Sequence, residues 1–296
     1  MRVSGTLFLN RLSGVRLTPV DVAGLREEAA ARGLHVVELG DDVNLRAIVR
    51  ERTMRGDRVF IAAGGDGTVH HVIQALVNTD AILGVVPTGT YNHFARDLGI
   101  PIGWRAALDV ALTGETRQID TGRINDRFFV NNVTLGLYPK FVAHREEKGR
   151  DYPRWKARLF AAYITLRNYP HVILNVESDH ERHEVIRTHM FMVSNNGYDL
   201  SRIGVEAPRD RLNEGRVSVY WLPHIPRWQL TRFIARYLAG RVRETPGFRS
   251  YRTMRMRVQS TKSKLEVGID GELFELPTPL AITIVPQSLN VRVPRV

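Results

Sequence analysis

Residues 59–68 read VFIAAGGDGT, an apolar run that passes directly into a glycine-rich turn. Val59 to Ala63 are apolar without alternation, which is typical of a strand that is buried on both faces of a parallel sheet. The glycines of GGDGT follow at once, and a helical pattern begins near Thr68. The start of a helix offers free N–H groups and the positive end of a dipole. The stretch therefore predicts a layered α/β unit with a phosphate-binding turn.

The elements on either side repeat this alternation. Apolar runs predict strands at 5–9, 34–39 and 82–86, and helical periodicity predicts helices at 18–32, 44–55, 68–77 and 104–112. Thr18, Pro19 and Asp21 have the pattern of an N-cap, a first-turn proline and a capping-box acid. We therefore expect an N-terminal α/β domain of about residues 1–120 with a mainly parallel sheet.

From residue 117 onward the chain becomes β-rich. Strands are predicted at 117–125, 127–135, 171–177, 185–193, 216–222, 251–259, 264–270, 280–285 and 289–293. Helices are predicted within this part at about 154–167 and 226–238. So many strands indicate an all-β, sandwich-like C-terminal domain over residues 121–290, and we expect the last residues, about 291–296, to return to the first domain.

Composition limits the chemistry and the partners. The net charge of +11 favours anionic partners, and no recognisable nucleic-acid motif accompanies it, so we expect no nucleic-acid partner. The absence of cysteine excludes disulfides, thiolate metal sites and cysteine nucleophiles. No apolar run approaches the roughly 18 to 20 residues needed to span a bilayer, and the N-terminus lacks the pattern of a signal peptide. We therefore expect a cytoplasmic location.

A second glycine loop, PTGTYNHFARDLGIP at 87–101, follows the strand after GGDGT. Because the carboxyl ends of parallel strands meet at one edge of a sheet, both loops and the end of the first strand should line one crevice. The candidate phosphate-binding residues are Asn10, Ser13, Gly14, Gly64, Gly65, Asp66, Gly67, Thr68, Gly89, Thr90 and Asn92. The GGDGT stretch is not a Walker A loop, since no Gly-Lys-Ser/Thr follows it. It is not a dinucleotide fingerprint either, since His70 stands where the third glycine should be. A tight turn with Asp66 as the helix cap is the alternative.

Six motifs together resemble those of bacterial diacylglycerol and lipid kinases. They are N-x-x-S-G (10–14), GGDGT (64–68), P-x-G-T-x-N-x-F-A-R (87–96), I-D-x-G-R-I-N (119–125), F-V-N-N (129–132) and D-G-E (270–272). NAD kinases share the GGDGT loop and the general architecture. The loop at 87–96 and the late D-G-E are similar to the lipid kinase branch.

The resemblance implies a kinase that uses ATP and Mg²⁺ to phosphorylate a hydroxyl of diacylglycerol or a similar lipid. It implies that the candidate residues in the first domain surround the nucleotide and that Asp66 supports the Mg²⁺-nucleotide site. It gives Glu272 the role of proton acceptor, with Asp270 as its neighbour or rival. Phosphoryl transfer needs positioning and charge neutralisation, and one carboxylate can orient the attacking hydroxyl.

The chain departs from the family pattern at three places. His71 and His93 stand where family members usually have acids. This loss of acid charge weakens metal binding or alters the pH dependence; the alternative is that both positions tolerate the change. The family commonly has L-D-D-G-L-L-D where residues 212–218 read LNEGRVS, so Glu214 is the one acid left there for a second Mg²⁺. An ordinary turn is the alternative at that position.

Expectations about partners follow from the resemblance and from the basic charge. The helix at 226–238 is amphipathic and either packs on its own sheet or contacts an anionic membrane. We expect a lipid substrate at the membrane surface, peripheral attachment to its inner face, and a homodimer through an edge strand as a further option. The alternative functions are an NAD kinase and a catalytically silent protein that binds nucleotide or lipid.

Overall fold

The computed structural model describes residues 4–10, 18–40, 43–136, 163, 167, 171–179, 183–195, 213–238 and 249–295. The chain divides into two compact units. The first comprises Met1–Thr121, Pro208–Glu214 and Val285–Val296, and the second comprises Gly122–Ala207 and Gly215–Ile284. The segment that returns to the first unit thus begins at Val285, whereas the sequence placed its start near residue 291.

The first unit contains a parallel sheet with helices along its strands. The strands are β1 (Gly5–Leu9), β2 (His35–Glu38), β3 (Val59–Gly64) and β4 (Ile82–Pro87). The helices are α1 (Pro19–Ala31), α2 (Leu45–Met54), α3 (Asp66–Leu76), α4 (His93–Asp97) and α5 (Trp104–Thr113). The strand order is β2-β1-β3-β4, and all these pairs are parallel. The predicted α/β class is confirmed.

Burial explains why these segments form strands. Every residue of β1 and β3 is buried, as expected for strands of a parallel sheet that is covered on both faces. The Thr18 hydroxyl and the Asp21 carboxylate form the predicted capping box at the start of α1. The strand order reverses between β1 and β3, and in open α/β sheets ligands bind outside the carboxyl ends of the strands at such a point.

Two local features of the first unit differ from the sequence prediction. The helix α4 lies within the segment 87–101, which the sequence describes as a loop, because five residues are too few to show a helical period. The helix α3 begins at Asp66 and has Gly65 as its N-cap. Asp66 is therefore the first residue of the helix, and the alternative that it serves as the cap is wrong.

The second unit is built from antiparallel strands. Its strands β6 to β14 are Arg127–Phe129, Asn132–Gly136, Val172–Ser178, His183–Ser194, Val217–Pro223, Arg249–Thr253, Arg255–Ser260, Lys264–Ile269 and Glu272–Pro277. The strands β5 (Glu115–Ile124) and β15 (Leu280–Val293) each contain residues of both units. The long strand β9 pairs with β7, β8 and β10, and its buried side chains Phe191 and Val193 lie in the core.

The strand boundaries of the second unit differ from the prediction in four ways, the first of which is that the run 127–135 is two strands, β6 and β7. The run 251–259 is two strands with Met254 between them, and the runs 280–285 and 289–293 are one strand, β15. The strand β14 was not predicted at all. The predicted helix at 154–167 lies mostly outside the described residues, and the helix at 226–238 is found as α6 (Arg227–Leu238). Within the part of the chain described above, no helix is long and apolar enough to cross a membrane.

Candidate active-site elements

The two glycine loops of the first unit touch each other. A Cβ atom at Gly89 would lie 2.5 Å from the Cα of Gly65, and a Cβ atom at Gly65 would lie 3.3 Å from the Cα of Gly89. The amide of Thr88 donates to the carbonyl of Gly64 at 2.9 Å, which extends the pairing of β3 and β4 into the loops. The loops pack backbone against backbone, and a side chain at Gly89 would force them apart.

The end of β1 joins the start of α3. The Asn10 side-chain amide donates to the Thr68 hydroxyl at 3.0 Å, and the Asn10 backbone amide donates to the carbonyl of Ala63, also at 3.0 Å. A Cβ atom at Gly64 would lie 2.3 Å from the Thr68 side chain, so only glycine fits there. The structure thus brings Asn10, Gly64 and Thr68 together at the predicted edge, and Ser13 and Gly14 lie outside the described residues.

The second loop is held closed by Asn92. Its side-chain oxygen accepts from the Gly89 amide at 3.0 Å, and its side-chain amide donates to the Gly89 carbonyl at 2.9 Å. Asn92 is buried and has a left-handed backbone with φ of 50°, and it is the N-cap residue of α4. These bonds keep Gly89 against Gly65 and leave Thr90 half-buried at the loop.

Asp66 connects the GGDGT turn to the second loop. Its carboxylate accepts hydrogen bonds from the backbone amides of Phe94, Asn92 and His93. Burial raises the pKa of Asp66 above its usual 3.8, and this effect outweighs the opposing influence of His93 and of the three amides. The sequence did not indicate these amide donors, because α4 was not predicted.

The residues around Asp66 allow it to be one ligand of a magnesium ion. An ionised carboxylate has about four lone-pair directions, so Asp66 can accept from backbone amides and also bind a cation. Mg²⁺ in kinases is commonly held by one or two carboxylates together with substrate phosphates. Across the described ranges no three His, Asp or Glu residues form a metal-binding group. Glu214 is half-buried in the turn before β10, and its role as a ligand remains a prediction.

The histidines that replace family acids have different surroundings. His93 is exposed, and its ring stacks on Tyr91 with centroids 5.6 Å apart. His71 is exposed on α3, whereas its neighbour His70 is 2% exposed and lies 3.4 Å from Gln74. His93 is therefore the substitution that acts directly on Asp66, since its charge affects the Asp66 pKa.

In the second unit, the D-G-E motif forms the tip of a hairpin. The strands β13 and β14 are joined by Asp270 and Gly271, whose φ values are 49° and 95°. Two successive residues with positive φ are typical of a type I′ turn, for which Asp-Gly is a favoured sequence. Glu272 is directly opposite Ile269. Because opposite residues share one face of a sheet, the Glu272 side chain lies on the same face as the fully buried Ile269.

The side chain of Asp270 is occupied by backbone donors. One carboxylate oxygen accepts from the amides of Asn131 and Asn132 at 2.8 and 3.0 Å, and the other accepts from Val130 at 2.9 Å. Asp270 is 8% exposed. The sequence pointed to F-V-N-N only as a family motif, and the structure shows that its backbone holds Asp270. Glu272 is half-buried one residue beyond the turn.

The comparisons with known proteins agree with these motifs. Residues 4–124 match the family described as the diacylglycerol kinase catalytic domain, and residues 142–293 match the YegS C-terminal NAD kinase beta sandwich-like domain. A diacylglycerol kinase of Mycobacterium tuberculosis is 26% identical over 302 residues, which cover 98% of this chain and 95% of that protein. A protein of Pseudomonas aeruginosa named "Probable lipid kinase YegS-like" is 41% identical over 129 residues, 43% of this chain and 41% of that protein.

Solved structures agree on the fold. The crystal structure of a diacylglycerol kinase from Bacillus anthracis superposes with a TM-score of 0.72 at 19% identity and covers 98% of this chain and 97% of that chain. The superposed structure matches this chain through both units. The family match over residues 142–293 covers the β-rich part, where the sequence predicted a sandwich. The chain therefore belongs to the diacylglycerol kinase catalytic-domain family of lipid kinases.

Proposed function

We propose that this protein transfers the γ-phosphate of ATP to a hydroxyl of diacylglycerol or a similar lipid. The observation that carries the proposal is the contact between the GGDGT turn and the loop at Gly89, at the carboxyl ends of two parallel strands. A catalytic-domain match over residues 4–124 includes both loops. The M. tuberculosis relative, named a diacylglycerol kinase, aligns along 98% of the chain and supports the acceptor class.

The first unit would bind the nucleotide. Backbone amides of the two loops and of the start of α3 provide donors for phosphate oxygens, as helix N-termini commonly do. Asn10 and Asn92 hold these backbone segments in place through their side-chain hydrogen bonds. A magnesium ion bound at Asp66 would neutralise charge on the phosphates. The role of the chain is thus mainly positioning, which is what phosphoryl transfer requires.

The reaction needs a proton acceptor, and we assign this role to Glu272. The acceptor hydroxyl oxygen bonds to the γ-phosphorus, the bond from that phosphorus to the bridging oxygen breaks, and ADP leaves. The hydroxyl proton passes to the Glu272 carboxylate. Glu272 is half-buried one residue beyond the turn, so its carboxylate is partly accessible to a substrate hydroxyl, which supports this assignment. The three amides on Asp270 make it the weaker candidate.

Access to a lipid requires contact with a membrane, and α6 is our candidate surface. Leu230 is fully buried, whereas Trp228 is 59% exposed and the Arg232 guanidinium lies 5.9 Å from its ring centroid. Arg227 and Arg232 are both exposed. A tryptophan flanked by arginines suits the interface of an anionic bilayer. Cosedimentation with anionic vesicles but not with neutral ones is expected, and equal binding to both would oppose this surface.

The experiment that tests the function follows labelled γ-phosphate from ATP into mixed micelles that contain diacylglycerol and other lipid alcohols, with Mg²⁺ present. We expect a labelled lipid from the wild type and a loss on the order of 10² to 10⁴ for Glu272→Gln and for Asp66→Asn. Asp126→Asn, at an exposed turn, is the matched control. Label in NAD in place of lipid would establish an NAD kinase. ATP binding without label in any acceptor would favour a silent binding protein.

A further inference from the structure

We propose that Asp270 is the positioning residue for Glu272, and that it acts by binding the hairpin tip to the backbone of Val130, Asn131 and Asn132. The inference rests on the proposed function, in which Glu272 accepts the proton. It gives different roles to Asp270 and Glu272, whereas the sequence alone leaves open whether Asp270 is a neighbour of the proton acceptor or its rival. One acid would take part in the reaction, and the other would hold the first in place.

The hairpin tip is a two-residue turn in which both residues have positive φ. Asp270 has a φ of 49°, in the left-handed region that Asp adopts more readily than most residues with a side chain. Gly271 follows with a φ of 95°, which glycine adopts without a steric cost. The local sequence therefore permits the turn, and the hydrogen bonds of Asp270 fix its tip against residues 130–132.

Four hydrogen bonds fix Asp270 to one short segment. Its carboxylate accepts from the amides of Val130, Asn131 and Asn132 at 2.9, 2.8 and 3.0 Å. Its own amide donates to the carbonyl of Asn132 at 2.9 Å. Hydrogen bonds to an ionised acceptor are stronger than those between neutral groups. A carboxylate with three donors is well placed as an anchor and poorly placed to take a proton from a substrate.

The segment that receives Asp270 is itself held from the other side. The carbonyl of Asn131 accepts from the Ser194 hydroxyl at 3.0 Å and from the Asn195 amide at 3.1 Å. Ser194 is the last residue of β9, the strand that pairs with three others in this unit. The hairpin tip is therefore tied through Asn131 to β9, which pairs with β7, β8 and β10.

Glu272 takes its position from this anchored tip. It is two residues after Asp270 and begins β14 opposite Ile269, and Ile269 pairs with Val133 of β7. Loss of the Asp270 anchor would let the tip rotate, and the Glu272 carboxylate would move with it. A displacement of about 1 Å in a reacting group can lower a rate about 10²-fold.

The test begins with Asp270→Asn, which replaces one acceptor oxygen by an amide that cannot accept from a backbone N–H. We expect kcat to fall about 10²-fold, with the KM values for ATP and for the lipid within about twofold of wild type. The matched control is Asp179→Asn in the same unit. The Asp179 carboxylate accepts from the Met254 amide at 2.8 Å and from the Thr253 hydroxyl, away from the hairpin tip. We expect this control to retain kcat within about twofold.

Two further measurements distinguish positioning from an independent role. If Asp270 acts through Glu272, the double variant Asp270→Asn/Glu272→Gln should have the same residual turnover as Glu272→Gln. If the loss of turnover in the double variant equals the product of the losses in the two single variants, the proposal is overturned, because Asp270 then acts independently of Glu272. Hydrogen exchange at the amides of 130–132 should accelerate in Asp270→Asn, and unchanged exchange would also overturn it. Full turnover of Glu272→Gln refutes the proposed proton acceptor, whereas inactive Glu272→Gln with fully active Asp270→Asn refutes the positioning role alone.

Discussion

Substitution of Gly89 by alanine is the most direct test of the contact between the two glycine loops. The new Cβ atom would lie 2.5 Å from the Cα of Gly65 and 2.9 Å from the side-chain oxygen of Asn92. Carbon atoms in contact are normally about 3.5 to 4.0 Å apart, so the loops must separate by about 1 Å. We expect kcat to fall about 10²-fold and the free energy of unfolding to fall by about 1 to 3 kcal/mol.

The assay for Gly89→Ala combines lipid phosphorylation, ATP affinity and denaturant unfolding. Gly103→Ala is the matched control, because no atom lies within 4 Å of its added Cβ atom and Gly103 is the N-cap of α5. This control should lose at most about 1 kcal/mol of stability and keep its turnover. Wild-type kcat and ATP affinity in Gly89→Ala would refute the reasoning, because the catalytic state would then not need the loops in contact.

Two further substitutions test the electrostatics of the first unit. His93→Asp should lower the Mg²⁺ concentration for half-maximal turnover about tenfold, because a second acid near Asp66 adds about 1.4 kcal/mol of attraction for the cation. The control is His35→Asp, at an exposed position. An unchanged Mg²⁺ requirement in His93→Asp would contradict this prediction. Asp57→Asn should lower the free energy of unfolding by about 3 to 5 kcal/mol at neutral pH, because it leaves the part-buried Arg52 without its carboxylate partner. Burial raises the pKa of Asp57, but hydrogen bonds from Ser4, Thr6 and Arg52 outweigh burial and bring the pKa below 3.8. The wild type therefore keeps this stability above pH 3.8 and loses it as the pH falls through the pKa of Asp57 in the folded protein. The measurement is the free energy of unfolding in urea for the wild type and the variant. A difference between the two that stays constant down to about pH 3 would contradict the assignment.

Much of the fold could be predicted from local patterns. The buried run at Val59–Ala63 and the capping box at Thr18 depend on residues that are close in sequence, so the strand and the helix start were visible without a structure. The order of the six motifs also indicated the family, which the matches over residues 4–124 and 142–293 show. The helix α4 was not predicted from the sequence, because five residues are too few to show a helical period. The strand β14 was not predicted, because its half-exposed residues follow the turn directly.

The residue types can be read from the chain directly: glycines follow β3 and β4, GGDGT contains one acid, and D-G-E contains two. The position and the contacts of each of these residues depend on the folded structure. Gly65 and Gly89 touch because parallel strands bring distant loops to one edge, and Asp66 bonds to amides near residue 93 for the same reason. Asp270 and Glu272 have the same charge and are two residues apart, yet their surroundings differ, because the donors for Asp270 come from a segment about 140 residues earlier in the chain. Spacing along a sequence carries no record of such contacts, since they form only when the chain folds.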